Sequence, residues 1–222
     1  MPKIGSLHTL GAFNHVMEKF MDDPRLAQFG QFTPEGTLQP GYGDHYLFFV
    51  GRDDIHSILL NILQAETLAF RLNMFGYDDD ELNQAIIALI RRPGVFVQGT
   101  LDRSQAAGVH EKRILEANAT TPEWSSSFAI GQSETHQISH TKGGVLAGQG
   151  IGFEGSTNWS ASAEGTSISL KADVANPPGF KAQNNTLLLS TNPVYLVRFT
   201  ARLDAEHRIA VQQQATHKTK AP

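Results

Sequence analysis

The stretch "SHTKGGVLAGQGIGFEGSTNWS", Ser139–Ser160, decides how this chain is read. Two readings compete: a glycine-rich loop that wraps a nucleotide phosphate, or a hairpin that presents polar side chains to a phosphate. A dinucleotide loop needs its glycines between a strand and a helix, so that pyrophosphate meets the helix N-terminus. Here "GQGIGFEG" runs into "STNWS", and no apolar-periodic helix opens on its last glycine. The G-K-[ST] ending of a P-loop is missing as well. The loop reading fails.

As a hairpin, "ISHTKGGVL" and "IGFEGSTNW" are two strands joined by "AGQG". Strand residues two apart share a face, which puts His140 beside Lys142 and Ser156 beside Asn158. An imidazole, an ammonium, a hydroxyl and an amide would then converge. That set suits a phosphodiester: the imidazole attacks phosphorus, while ammonium and amide bind the oxygens whose charge grows in the transition state. Glycines let a substrate approach the backbone closely. On periodicity alone, a glycine-rich hairpin with a surface histidine remains open.

Bulk properties narrow the field. The chain has 222 residues, 40% hydrophobic and 18% charged, with a formal net charge of −4. That length suits one large or two small domains with a real core. The balance is not the strongly basic footprint of a protein that coats nucleic acid, though a local basic groove is compatible with it. Cysteine is absent, which removes disulfides, thiolate catalysis and cysteine-ligated metals. The start, "MPKIGSLHTLGAFNHVMEKF", lacks a basic, apolar secretory pattern. No run reaches the roughly 18 apolar residues of a membrane span. The expectation is a cytoplasmic protein without a membrane span.

Along the chain, residues 1–45 read as an irregular arm with a short helix about Leu10–Met21. From His45 strands and helices alternate. "HYLFFVG" predicts a strand, and "RDDIHSILLNILQAET" a helix behind an Asp cap. "LAFRLNMFGY" is a strand, and "DDDELNQAIIALIRR" a helix with acids first and arginines last. "GVFVQGTLD" and "RSQAAGVHEKRILEAN" repeat the alternation. "SSFAIGQS", "HQISHTKGGVLAG" and "QGIGFEGSTNW" then read as consecutive strands, and "NTLLLS" as another. "NPVYLVRFTARLDAEHRIAVQQQ" is a long helix with Val194, Val197, Leu203 and Ile209 among its apolar positions. The fold class is α/β, a mixed β-sheet flanked by helices on both faces. The expected division is an arm over 1–45, one domain over 46–215 and a frayed tail over 216–222.

At "HTK" (His140–Lys142) and "GSTN" (Gly155–Asn158), followed by Trp159, the sequence resembles the phospholipase D superfamily. That family's pattern is H-x-K, four residues, Asp, about six residues, then G-S-x-N. The spacing here agrees within about one residue, and the likeness extends from His45 to Gln212. With a single H-x-K, it is similar to the one-motif subgroup, whose members pair as homodimers around one two-fold site. Ala147 stands at the motif's Asp, and Asn184 at the Glu that orients the histidine in the family; Glu164 is another carboxylate in reach along the chain. The resemblance implies a metal-independent phosphodiesterase, a nuclease above all, acting on DNA or RNA through a phosphohistidine. His140, Lys142, Asn158, Ser156 and Glu164 are its expected catalytic residues, with no cofactor and no metal. The alternatives are a phospholipid-headgroup hydrolase, or a degenerate module that binds nucleic acid or a partner protein.

Other residues take plainer roles. His136 is read as a non-ligand, and Asp78–Asp80 as a helix cap rather than a metal cluster. Trp124 and Trp159 are read as packing or dimer contacts, and Asp102 as a strand end that takes no part. "ANPPGF" is a loop at the mouth of the site or a surface excursion.

Overall fold

Alternating burial is plain in the first long strand: Tyr46 and Phe48 point inward, while His45, Leu47 and Phe49 point out. The computed structural model describes residues 22–122, 124–166, 178 and 182–218. Within them the chain runs helix α1 (Pro24–Ala27), a 3-10 turn (Gln28–Phe32), strands β1 (Gly41–Tyr42) and β2 (His45–Phe49), then α2 (Ile55–Ala65). Next come β3 (Ala69–Met74), β4 (Tyr77–Asp78), α3 (Asp80–Arg91), β5 (Phe96–Asp102), α4 (Val109–Ala119) and β6 (Ser126–Gly131). The chain closes with β7 (Lys142–Leu146), β8 (Ile151–Gly155), β9 (Trp159–Ser160), α5 (Ala161–Glu164), β10 (Thr186–Ser190) and α6 (Pro193–Lys218).

The main sheet has eight strands in the order β1-β2-β10-β8-β7-β3-β5-β6. β3, β5 and β6 are mutually parallel, joined through α3 and α4. From β7 outward every pairing is antiparallel. The expected mixed sheet is therefore present, and its two faces are covered separately. Neighbours on a strand point to opposite faces. Leu146 belongs to the large core with α2, α3 and α4 residues, whereas Val145 packs with Phe199 and Leu203 of α6.

Local signals account for the helices. Ile55, Ile58, Leu59, Ile62 and Leu63 of α2 are fully buried, each contributing about 1.5–3 kcal/mol by removal from water. Asp54 caps α2 by accepting from Ser57 N, and Asp79 caps α3 by accepting from Leu82 N. Asp80 and Glu81 in the first turn of α3, and Arg91 in its last, suit the helix dipole.

Several elements differ from the sequence reading. Leu26 and Phe29, within the segment read as an arm, are fully buried in the main core. The helix expected over 103–118 begins only at Val109, because Asp102 Oδ1 accepts from both Ser104 N and Ser104 Oγ and holds a turn there. "HQISHTKGGVLAG" is strand only from Lys142, and β8 ends at Gly155. Both ends follow the ladder: β3 stops pairing at Met74↔Lys142, and Ser156 Oγ accepts from Thr186 N where a further rung would sit. The "AGQG" turn is as expected, with Gly150 at φ +62° and its N–H donating to Ala147 O. Along α6 the buried stripe is Phe199, Leu203, Glu206, His207 and Ala210; Val194 and Val197 are 61% and 71% exposed. The helix register is set by the β6, β5 and β7 face it covers, not by its apolar residues alone. α6 runs through Lys218, beyond the expected start of the tail. The helix expected over Leu10–Met21 and, except for Pro178, the "ANPPGF" segment lie outside the described residues.

Candidate active site

The end of β3 organises the site. Met74 pairs with Lys142, the first residue of β7, and the chain then turns through Phe75 and Gly76. The Phe75 ring lies 4.6 Å from the His140 ring in an edge-on contact, and Lys142 Nζ sits 4.9 Å from the same ring centroid. The ring thus supports an imidazole and a cation together. Gly76 O accepts from Trp159 N, which brings the segment after β8 alongside. Asn158 packs on Gly76 so closely that a Cβ there would lie 2.8 Å from Asn158 Cγ. Only glycine leaves room for that amide.

His140 is exposed, whereas Lys142 is 5% exposed. Lys142 Nζ donates to His140 O at 2.9 Å, using one of its three protons. Burial pulls its pKa below the usual lysine value, because the charged form loses water. Asn158 Oδ1 is buried and has no hydrogen-bond partner among the described residues. Ser156 is exposed; its N donates to Thr186 O at 3.1 Å. Thr157 Oγ1 donates to the same carbonyl at 2.9 Å, which fixes the approach to Asn158.

The expected strand-face pairing is not what gathers these residues. His140 precedes β7 and Ser156 follows β8, so neither belongs to a ladder. His140 is set instead by Asp102, which is buried at the end of β5 and whose Oδ2 accepts from Ser139 N at 2.6 Å. Ser139 Oγ donates to Asn73 Oδ1, and Asn73 Nδ2 donates to the Glu206 carboxylate of α6. Asp102 was read as taking no part; it holds the residue next to His140. The strand-terminal "TLD" was its signal. Phe75 and Gly76 fall inside "LAFRLNMFGY", which the sequence predicts as one strand, whereas β3 ends at Met74 and leaves them in the turn beyond it.

Glu164, the carboxylate among the expected catalytic residues, is buried and pairs with His56, Oε2 to Nδ1 at 2.6 Å. The His56 ring also meets Glu81 Oε2 through Nε2 at 3.0 Å, and Asp79 Oδ2 lies 3.6 Å from Nδ1. Glu164, then Glu81 and Asp79, raise the His56 pKa to about 9 against the opposing effect of burial. Burial raises Glu164 to about 7, partly offset by His56. Asn184 is exposed, and Ala147 is exposed in the β7–β8 turn. Trp159 is buried against Phe153 and Tyr77, while Trp124 is 76% exposed. Asp78 and Asp80 pair with His110, and Asp80 also with Arg113.

An eight-stranded mixed sheet with helices on both faces, its H-x-K at the head of one central strand and its G-S-x-N after the next, is the phospholipase D-like fold. Solved structures of this architecture include NucT from Helicobacter pylori, 15% identical over 74% of this chain and 96% of that one, with TM-score 0.56. Nuc from Salmonella typhimurium, a phospholipase D family member, is 13% identical over 75% and 96%, with TM-score 0.52. Phosphatidylserine synthase from Haemophilus influenzae is 10% identical over 89% of this chain and 41% of that one, also with TM-score 0.52. No protein-family model and no curated protein matches the chain. No helix among the described residues is long and apolar enough to cross a membrane.

Proposed function

We propose that the chain is a phosphodiesterase, a nuclease, that works without metal through a phosphohistidine in a site shared by two identical chains. The convergence of His140, Lys142 and Asn158 on the Phe75–Gly76 turn supports this reading. An imidazole nitrogen of His140 attacks phosphorus; the P–N bond forms as the P–O bond to the leaving group breaks. The same residue of the second chain gives its proton to the leaving oxygen, then takes one from water as water attacks the phosphohistidine. The products are a phosphomonoester and an alcohol, and both histidines return to their starting protonation. Lys142 and the Asn158 amide donate to the non-bridging oxygens, Ser156 adding its hydroxyl at the rim. With Glu164 committed to His56, it has no direct part in these steps.

The test is turnover in EDTA on single- and double-stranded DNA, RNA, a chromogenic diester and phosphatidylcholine vesicles. Nucleic acid should be cut, and His140→Ala should abolish cutting while circular dichroism stays unchanged. Light scattering should report a dimer. Full activity in His140→Ala would refute the assignment. Cleavage confined to the vesicles would move the substrate to lipid headgroups, and DNA binding without any cleavage would make this a degenerate binding module.

A further inference from the structure

A second cluster of chemistry lies around His56, from elements far apart in sequence: the first turn of α2, the cap of α3 and the end of α5. His56, Asp79 and Glu164 each bring one ligand-type atom within 4.8 Å of the others. We propose that His56 Nδ1, Asp79 Oδ2 and Glu164 bind a divalent cation of the zinc type, a site separate from the proposed phosphodiesterase chemistry.

The atoms are apportioned as such a site requires. Asp79 uses Oδ1 to cap α3, accepting from Leu82 N at 2.7 Å, which leaves Oδ2 facing His56. Glu164 has a side chain fully removed from solvent, and its Oε1 has no partner among the described residues. A buried carboxylate oxygen without a donor is uncommon, and a bound ion or water beside it accounts for it. On the far side of the ring, Nε2 faces the Glu81 carboxylate at 3.0 Å. That matches the way a metal-bound histidine donates its other N–H to a carboxylate, which fixes the ring and its tautomer.

Charge points the same way. The ion pairs of the described residues join Asp79, Glu81 and Glu164 to one imidazole. Even when His56 is protonated, three carboxylates face a single positive charge, two of them almost wholly out of water. A divalent ion in place of the proton on Nδ1 would balance them more fully. The dimensions fit with a small movement. Ligand atoms about 2.0–2.1 Å from zinc in a tetrahedron lie about 3.3–3.4 Å apart. Nδ1 and Asp79 Oδ2 are already 3.6 Å apart, and the 2.6 Å contact to Glu164 has only to open once its proton leaves. Three protein ligands leave a fourth position for water.

The experiment uses the full chain, untagged and stripped with EDTA, with Zn2+ added alone. Calorimetry near pH 7.5 should show one saturable site per chain with release of protons, since His56 must lose its own to bind. At about 100-fold excess over Kd the Tm should rise by roughly 5–10 °C. Glu164→Gln, which keeps the shape and removes the anionic ligand, should abolish that rise. Glu81→Gln should weaken binding by about 10–100-fold. Co2+ in place of Zn2+ should give the visible spectrum of a four-coordinate nitrogen–oxygen site, a readout that needs no variant. Absence of saturable Zn2+ binding, unchanged affinity in Glu164→Gln, or a six-coordinate Co2+ spectrum would each overturn the proposal.

Discussion

Raising the pH above 7 should weaken the metal-free protein chiefly through His56. Its folded pKa is raised from 6.5 to about 9, chiefly by the Glu164 hydrogen bond, with Glu81 and Asp79 adding to it. In the unfolded chain His56 is largely deprotonated above pH 7. The folded state therefore binds the extra proton, and its contribution is complete below the unfolded value and lost as pH rises through about 9. Between pH 7 and pH 10 the loss spans about two pH units at about 1.36 kcal/mol each, so roughly 3 kcal/mol of stability disappears. The side chain is only 16% exposed, so solvent screening takes little from that figure. Glu164 acts in the same direction at lower pH: raised by burial to about 7, it lowers stability as pH climbs from its ordinary range through that value. Starting at pH 7 keeps the two contributions largely separate. The assay is urea unfolding in EDTA at pH 7, 8, 9 and 10, for the natural chain and for His56→Gln. The natural chain should lose more than the variant across that range, by less than the full figure of roughly 3 kcal/mol, because Glu164 without His56 to lower its pKa titrates within that range in the variant. Parallel curves for the two proteins would show that His56 carries no such proton and would refute the electrostatic account of this cluster.

Two substitutions test how the candidate active site is held. Gly76→Ala places a methyl 2.8 Å from Asn158 Cγ and 2.9 Å from Oδ1, so the amide must move by several tenths of an ångström. Displacement of a positioning group on that scale should lower kcat by up to about 100-fold with a much smaller change in the urea midpoint; unchanged kcat would mean that Asn158 does not touch the reacting phosphate. Asp102→Asn removes a buried charge that accepts from Ser139 N, Ser104 N and Ser104 Oγ. It should destabilise the fold by about 2 kcal/mol or more, and should lower turnover on the diester as the chain before His140 loosens. Full turnover in a folded Asp102→Asn protein would remove Asp102 from any positioning role.

What was legible in the sequence follows the range of the forces involved. β2, α2, β3, α3 and β5 announce themselves because alternation, helical spacing and Asp caps act within a few residues, and those neighbours survive folding. The exposure of Val194 and Val197 was not legible, since which stripe of α6 is buried depends on strands β5, β6 and β7, remote in sequence. The candidate site divides along the same line. His140, Lys142 and Asn158 could be picked out by residue type and spacing, yet the reason they meet is not the strand periodicity that first grouped them. They border one turn because β3 ends where β7 begins, so that Phe75 lies against His140 and Lys142, and Gly76 against Asn158.

The bond from Asp102 to Ser139 spans 37 positions and that from His56 to Glu164 spans 108, distances over which no local pattern constrains a carboxylate's partner. Glu164 shows the consequence. Along the chain it is one candidate in reach of His140 beside Asn184, but the turn from β9 into α5 buries it in the core, where His56 of α2 is its hydrogen-bond partner. A buried carboxylate must find a hydrogen-bond donor wherever the fold has put one, because leaving it unpaired in a low-dielectric interior costs more than any local preference can offset. Glu164 therefore answers to the packing of α2, α3 and α5, and the motif alone does not set its partner.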